Sequence, residues 1–196
     1  GLFLLAVGVY REEDMFTQKS VPAKALDALA AQLHSRRRVA LWSALFIPFV
    51  LIAELLAVAV LFLVPVAVSI PAVLVVVAMV EEVAKSVHVY AGFARSKFDR
   101  TARTAVGLGV ASGLGFFAGE KLTLAAQFVG LPDLAVGRAA FAVSPTADPL
   151  TLAALLVAPL LLHTVTASVS ALGARRSRWH YLAALVAVVG LHVTYN

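Results

Sequence analysis

Long apolar runs separated by short charged segments dominate the chain. Five such runs have cores near 39–63, 71–94, 104–128, 149–172 and 179–195. A helix rises about 1.5 Å per residue, so crossing a hydrocarbon layer of about 30 Å takes about 20 residues. The first four runs reach that length, and the fifth, ending near the last residue, nearly does. The pattern predicts an all-α fold: a polytopic transmembrane helix bundle of about five spans. Pro65 and Pro71 are expected to bracket a tight connection between the first two spans. The segment Gly130 to Asp148 is the longest connection, and its apolar stretch 134–143 is too short to cross, which suits a half-inserted helix.

Residues 16–38 follow a different period. Ser20 and Pro22 form a helix start, and Ala25, Leu26, Leu29, Ala30 and Leu33 make an apolar stripe opposite Lys24, Asp27 and Gln32. With Arg36, Arg37 and Arg38 behind it, this segment is expected to be a cytoplasmic amphipathic helix held to anionic headgroups. Gly1 to Val9 are apolar and stop at a charged segment from Tyr10 to Asp14, as at the end of a preceding membrane span. The division expected is therefore 1–38, the end of that span plus an amphipathic linker, and 39–196, the membrane core.

Composition agrees with the pattern. Sixty-one percent of residues are hydrophobic and 14% charged, an excess of apolar residues over a soluble domain. There is no cysteine, which excludes disulfides, thiolate catalysis and thiolate metal ligation. The net charge of +5 does not point to nucleic acid, because the basic residues lie in short loops beside apolar spans. Thirteen of the 16 basic residues fall before residue 39, at 95–103 or at 175–178, while the alternating loops 64–70 and 130–148 carry only Arg138. That asymmetry satisfies the positive-inside rule and places the basic loops in the cytoplasm of a multi-pass cell-membrane protein.

Against this background, ionisable residues inside the spans carry the functional signal, because each costs a few kcal/mol at bilayer depth. Glu82, Glu120, His163 and His192 all lie roughly 15 to 25 Å from the basic end when counted along their helices. Four spans thus offer polar groups at a common level. Glu81, Lys85 and His88 share a stripe at i, i+4 and i+7, while Glu82 reaches Lys85 at i, i+3. Lys85 is read as the internal counter-ion of one glutamate, and Glu54 as a helix-packing hydrogen-bond donor. His192 and Asn196 are one turn apart and can both donate to one oxygen. Gly109, Gly113, Gly115 and Gly119 form two small-xxx-small pairs that let another backbone approach beside Glu120.

These residues resemble the motifs of the PrsW family of intramembrane proteases, relatives of the CAAX prenyl proteases and bacteriocin-processing enzymes. Glu81-Glu82-Val83-Ala84-Lys85 matches EExxK, and Gly113 to Glu120 resembles the FxxxE motif. His163-Thr164-Val165-Thr166 resembles the third motif, and His192 to Asn196 an HxxxN ending. The motifs occur in the family's order over roughly residues 45–196. One position departs: Lys121 stands where the PrsW pattern has Asn. The segment before residue 39 also resembles the junction to an upstream permease-like membrane domain.

The resemblance implies an endopeptidase acting on a membrane protein or peptide in the bilayer, with catalytic residues Glu81, Glu82, Glu120, His163, His192 and Asn196, supported by Lys85. A glutamate would activate water, and His192 with Asn196 would stabilise the oxyanion. No cofactor is favoured. The alternative is zinc held by Glu82, Glu120, His163 and His192. Other function classes remain open on the same cluster: a proton-coupled transporter, which would favour broken helices and an internal repeat, or a non-enzymatic membrane scaffold.

Overall fold

The computed structural model describes residues 19–130 and 149–196. Those residues form helices and connecting turns, with no strand among them. In chain order the helices are α1 (Val21–Ala31), α2 (Arg36–Leu45), α3 (Ile47–Leu61), α4 (Val66–Ala94), α5 (Ala102–Gly130), α6 (Pro149–Ala174) and α7 (Arg178–Tyr195). Among the described residues, three stretches are long and apolar enough to cross a membrane: Arg36–Leu61, Val66–Ala94 and Leu156–Ala174. The segment before residue 19 and the stretch 134–143, expected respectively to end a preceding span and to half-insert, lie outside the described residues.

Proline chemistry fixes two boundaries. The first apolar run is not one continuous helix, because Pro48 has no N–H to give the Ala44 carbonyl. The chain turns at Phe46, whose own N–H bonds to Trp42 and Ser43, and α3 restarts with Pro48 in its first turn. The expected bracket of Pro65 and Pro71 is corrected. The turn between α3 and α4 spans Phe62–Pro65, and Pro71 lies inside α4. Pro71 forfeits one backbone bond near the helix start, less than the packing of a 29-residue helix supplies.

α5 organises the bundle by means of its glycines. A Cβ on Gly113 would come within 2.5 Å of the His163 carbonyl, and one on Gly109 would collide with the Ser168 backbone, so this face of α5 lies against α6. Gly115 and Gly119 face the other way, where a Cβ would meet the backbones of Ala40 and Ala44 on α2. The two small-xxx-small pairs thus serve two different neighbours, one each.

A core cluster near the basic loops joins Leu33, Val39, Val89, Phe93, Leu108, Ala171 and Tyr181. It includes the C-terminal side of α1, whose stripe ends in buried Ala30 and Leu33. Asp27 bonds Lys19 at 3.0 Å and pairs with Arg95, and Arg95 also donates to the Ala23 carbonyl at 3.1 Å. α1 is therefore strapped to the end of α4.

Candidate functional site

Four helices meet in one buried polar network. Lys85 on α4 donates from Nζ to Glu82 Oε1 at 2.6 Å and to His163 Nδ1 on α6 at 2.9 Å. Accepting at Nδ1 requires the His163 proton to sit on Nε2, which then donates to Glu120 Oε2 on α5 at 3.0 Å. Glu120 Oε1 accepts from Lys121 at 2.8 Å. On the other side, His192 of α7 donates from Nδ1 to Glu82 Oε1 at 2.8 Å. A chain of hydrogen bonds therefore runs from His192 through Glu82, Lys85 and His163 to Glu120 and Lys121.

Exposure divides the carboxylates into two kinds. Glu82 and Lys85 are 0% exposed, and His163 and His192 nearly so. The side chains of Glu81 and Glu120 remain 17% and 39% exposed. Glu81 Oε2 has no hydrogen-bond partner and stands 3.8 Å from both Lys85 Nζ and His192 Nε2. The i, i+3 geometry of Glu82 thus wins the close contact with Lys85, and the i, i+4 glutamate is left at longer range. An ion pair this buried needs its remaining polar atoms satisfied. Here two oxygens, Glu81 Oε2 and Glu82 Oε2, are not.

Aromatic and hydroxyl groups frame the network. The Phe116 ring lies 4.9 Å from Lys85 Nζ and 5.1 Å from the His163 ring, covering the ammonium with a π face. Ser86 back-bonds to the Glu82 carbonyl at 2.6 Å and meets the Tyr181 hydroxyl at 2.9 Å, tying α4 to α7. Ser112 donates to the Lys85 carbonyl and lies 3.1 Å from Ser43 Oγ, tying α5 to α4 and α2. His88 is enclosed beside Ser112 and the Phe46 ring, away from the network.

Of the residues expected at the site, Glu81, Glu82, Lys85, Glu120, His163 and His192 come together. Asn196 does not: it is exposed at the end of α7, and its bond to His192 is a backbone one, N–H to carbonyl at 3.1 Å. Glu54 makes no hydrogen bond among the described residues. Sequence reasoning passed over Ser43, Ser86, Ser112 and Tyr181. Hydroxyls are cheap in a span because they back-bond to their own helix, so only their mid-span position could have flagged them.

The donor set does not fit a metal ion in this arrangement. Among the described residues no group of three or more His, Asp or Glu side chains converges as ligands would. Lys85 stands between Glu82 and His163 where a cation would bind, and both ring nitrogens of His163 are engaged. Comparison with known protein families, with curated proteins and with solved structures gave no match.

Proposed function

We propose that the chain is an intramembrane endopeptidase in which Glu81 activates water against a peptide bond of a membrane protein or peptide. The observation that carries this reading is the buried network across four helices, with the partly exposed Glu81 carboxylate beside it, whose buried Oε2 has no hydrogen-bond partner. Its resemblance to PrsW-type motifs supports the same chemistry. The site lies within five spans, with α1 and the basic loops on the cytoplasmic side. The loops at 95–101 and 175–177 hold one another, since Arg100 and Arg175 each donate to the other's backbone carbonyl. That contact supports a single basic end.

Roles follow from exposure and bonding. Glu82, fully enclosed and doubly bonded on one oxygen, anchors Lys85 and His192. Glu81, held 3.8 Å from Lys85 Nζ and His192 Nε2 but bonded to neither, is the general base. It takes a proton from water, and the hydroxide adds to the substrate carbonyl. When the C–N bond breaks, that proton passes to the leaving amine. Lys85 supplies fixed positive charge beside the developing oxyanion, and His192 holds Glu82 in place through Nδ1. His163, Glu120 and Lys121 hold the far side of the network. The substrate helix has to unwind locally, because a helical backbone already engages its own carbonyls.

The test is incubation of the purified protein in lipid with transmembrane peptides, wild type against Glu81→Gln. The variant should lose at least about a hundredfold in rate, the usual contribution of a positioned base. Equal cleavage by both proteins would remove Glu81 from the chemistry.

A further inference from the structure

The two loops at the basic end hold arginines that, among the described residues, form no ion pair with an acidic side chain. Arg100 Nη1 and Arg175 Nη1 each reach the other's backbone carbonyl at 3.3 Å, and Arg100 Nη2 donates to the Phe93 carbonyl at 3.0 Å. These bonds fix two cations against one pair of loops. Arg175 Nε is buried there without a hydrogen-bond partner. Arg176 and Arg178 follow on the same turn, both exposed. The Arg178 guanidinium lies 4.6 Å from the centroid of the Trp179 ring, which is 65% exposed. Among the described residues at this end, Asp27 is engaged by Lys19 and Arg95, and Asp99 forms no ion pair although it precedes Arg100.

We propose that these loops seat the phosphate of an anionic membrane lipid, with Arg100, Arg175, Arg176 and Arg178 as its donors. Neighbouring guanidiniums repel unless an anion lies between them, and their planar forks match phosphate oxygens. A lipid phosphate is the source the surroundings favour. The seat lies where α6 ends and α7 begins, next to apolar surface, and an exposed Trp beside it prefers the headgroup level. Clusters of basic residues next to a membrane span recruit anionic headgroups for the same reason. The assignment does not depend on the peptidase reading.

Trp42 and Trp179 are the only tryptophans, so a Trp42→Phe background leaves Trp179 as the sole reporter. In neutral detergent, that protein is titrated separately with short-chain phosphatidylglycerol, short-chain phosphatidylcholine and inorganic phosphate, reading the midpoint of the change in Trp179 emission. Phosphatidylglycerol should saturate at a midpoint roughly tenfold lower than phosphatidylcholine, and phosphate alone should give no saturable change in the same range. Arg176→Gln with Arg178→Gln removes two exposed donors and should raise the phosphatidylglycerol midpoint about tenfold. Where that pair alters the fold, Arg175→Lys retains a charge but loses the fork, and should raise the midpoint likewise. Equal midpoints for the two lipids, saturation by phosphate alone, or an unchanged midpoint in the folded variants would each overturn the proposal.

Discussion

Removing Glu81 and removing Lys85 should have opposite signatures. Glu81 has no contact closer than 3.8 Å to a charged partner, so Glu81→Gln should leave the melting temperature in detergent nearly unchanged while abolishing cleavage. Lys85→Met leaves the fully buried Glu82 without its cation. Breaking such a pair costs about 3–5 kcal/mol, read as a marked fall in thermal stability. Glu82→Gln added to Lys85→Met should restore much of that stability, because no buried charge is then left unanswered. If Lys85→Met melts like wild type, the ion pair is not what holds the site. At this scale the polar cluster was legible, since ionisable residues in apolar runs stand out. Which glutamate pairs with Lys85 was not legible, because i, i+3 and i, i+4 are both reachable and only packing against α6 and α7 chooses. Asn196 shows the same limit: spacing puts it on the face of His192, but the end of a helix decides where its side chain goes.

Helix pairing is set by small residues, and this gives a sharp contrast between glycines. A Cβ on Gly113 meets the backbone at His163, whereas one on Gly190 meets nothing within 4 Å. Gly113→Val should push α6 from α5, lengthen the His163–Glu120 contact and lower stability by about 1–3 kcal/mol. Gly190→Val should be close to silent in both thermal unfolding and cleavage. Similar losses from the two would contradict the close α5–α6 packing. α1 offers a pH test. The hydrogen bond from Lys19, aided by the charge of Arg95, holds the Asp27 carboxyl below its ordinary value. A depressed folded value means the strap is at full strength above the unfolded value, about 3.9, and weakens as pH falls through the folded one. Hydrogen exchange in residues 21–31 should therefore accelerate below about pH 4, relative to the bundle core, and Asp27→Asn should remove that step. Periodicity revealed the α5 glycine pairs and the α1 stripe. It could not reveal that Pro48 splits the first run at Phe46, nor that α1 docks on α4, because both depend on which backbone groups and surfaces find partners.

For the whole molecule, the question is how the spans are ordered across the bilayer. Ser96 and Ser177 lie in loops that Arg100 and Arg175 tie together, while Val64 lies in the α3–α4 turn at the other end of α4. Cysteines at Ser96 and Ser177 should be labelled from the cytoplasmic side, and a cysteine at Val64 from the opposite side. The run lengths foretold the helices, and the depth count foretold that Glu82, Glu120, His163 and His192 would meet, because a straight helix converts sequence distance into depth. The central claim is water-mediated peptide cleavage at Glu81. Its most direct test is mass spectrometry of a transmembrane peptide incubated in proteoliposomes containing ¹⁸O-enriched water. Wild type should yield two product peptides, with ¹⁸O incorporated in the new C-terminal carboxylate, and Glu81→Gln none. An intact peptide with wild type, or equal products from both proteins, would contradict it, and proton flux without cleavage would assign the same buried network to transport.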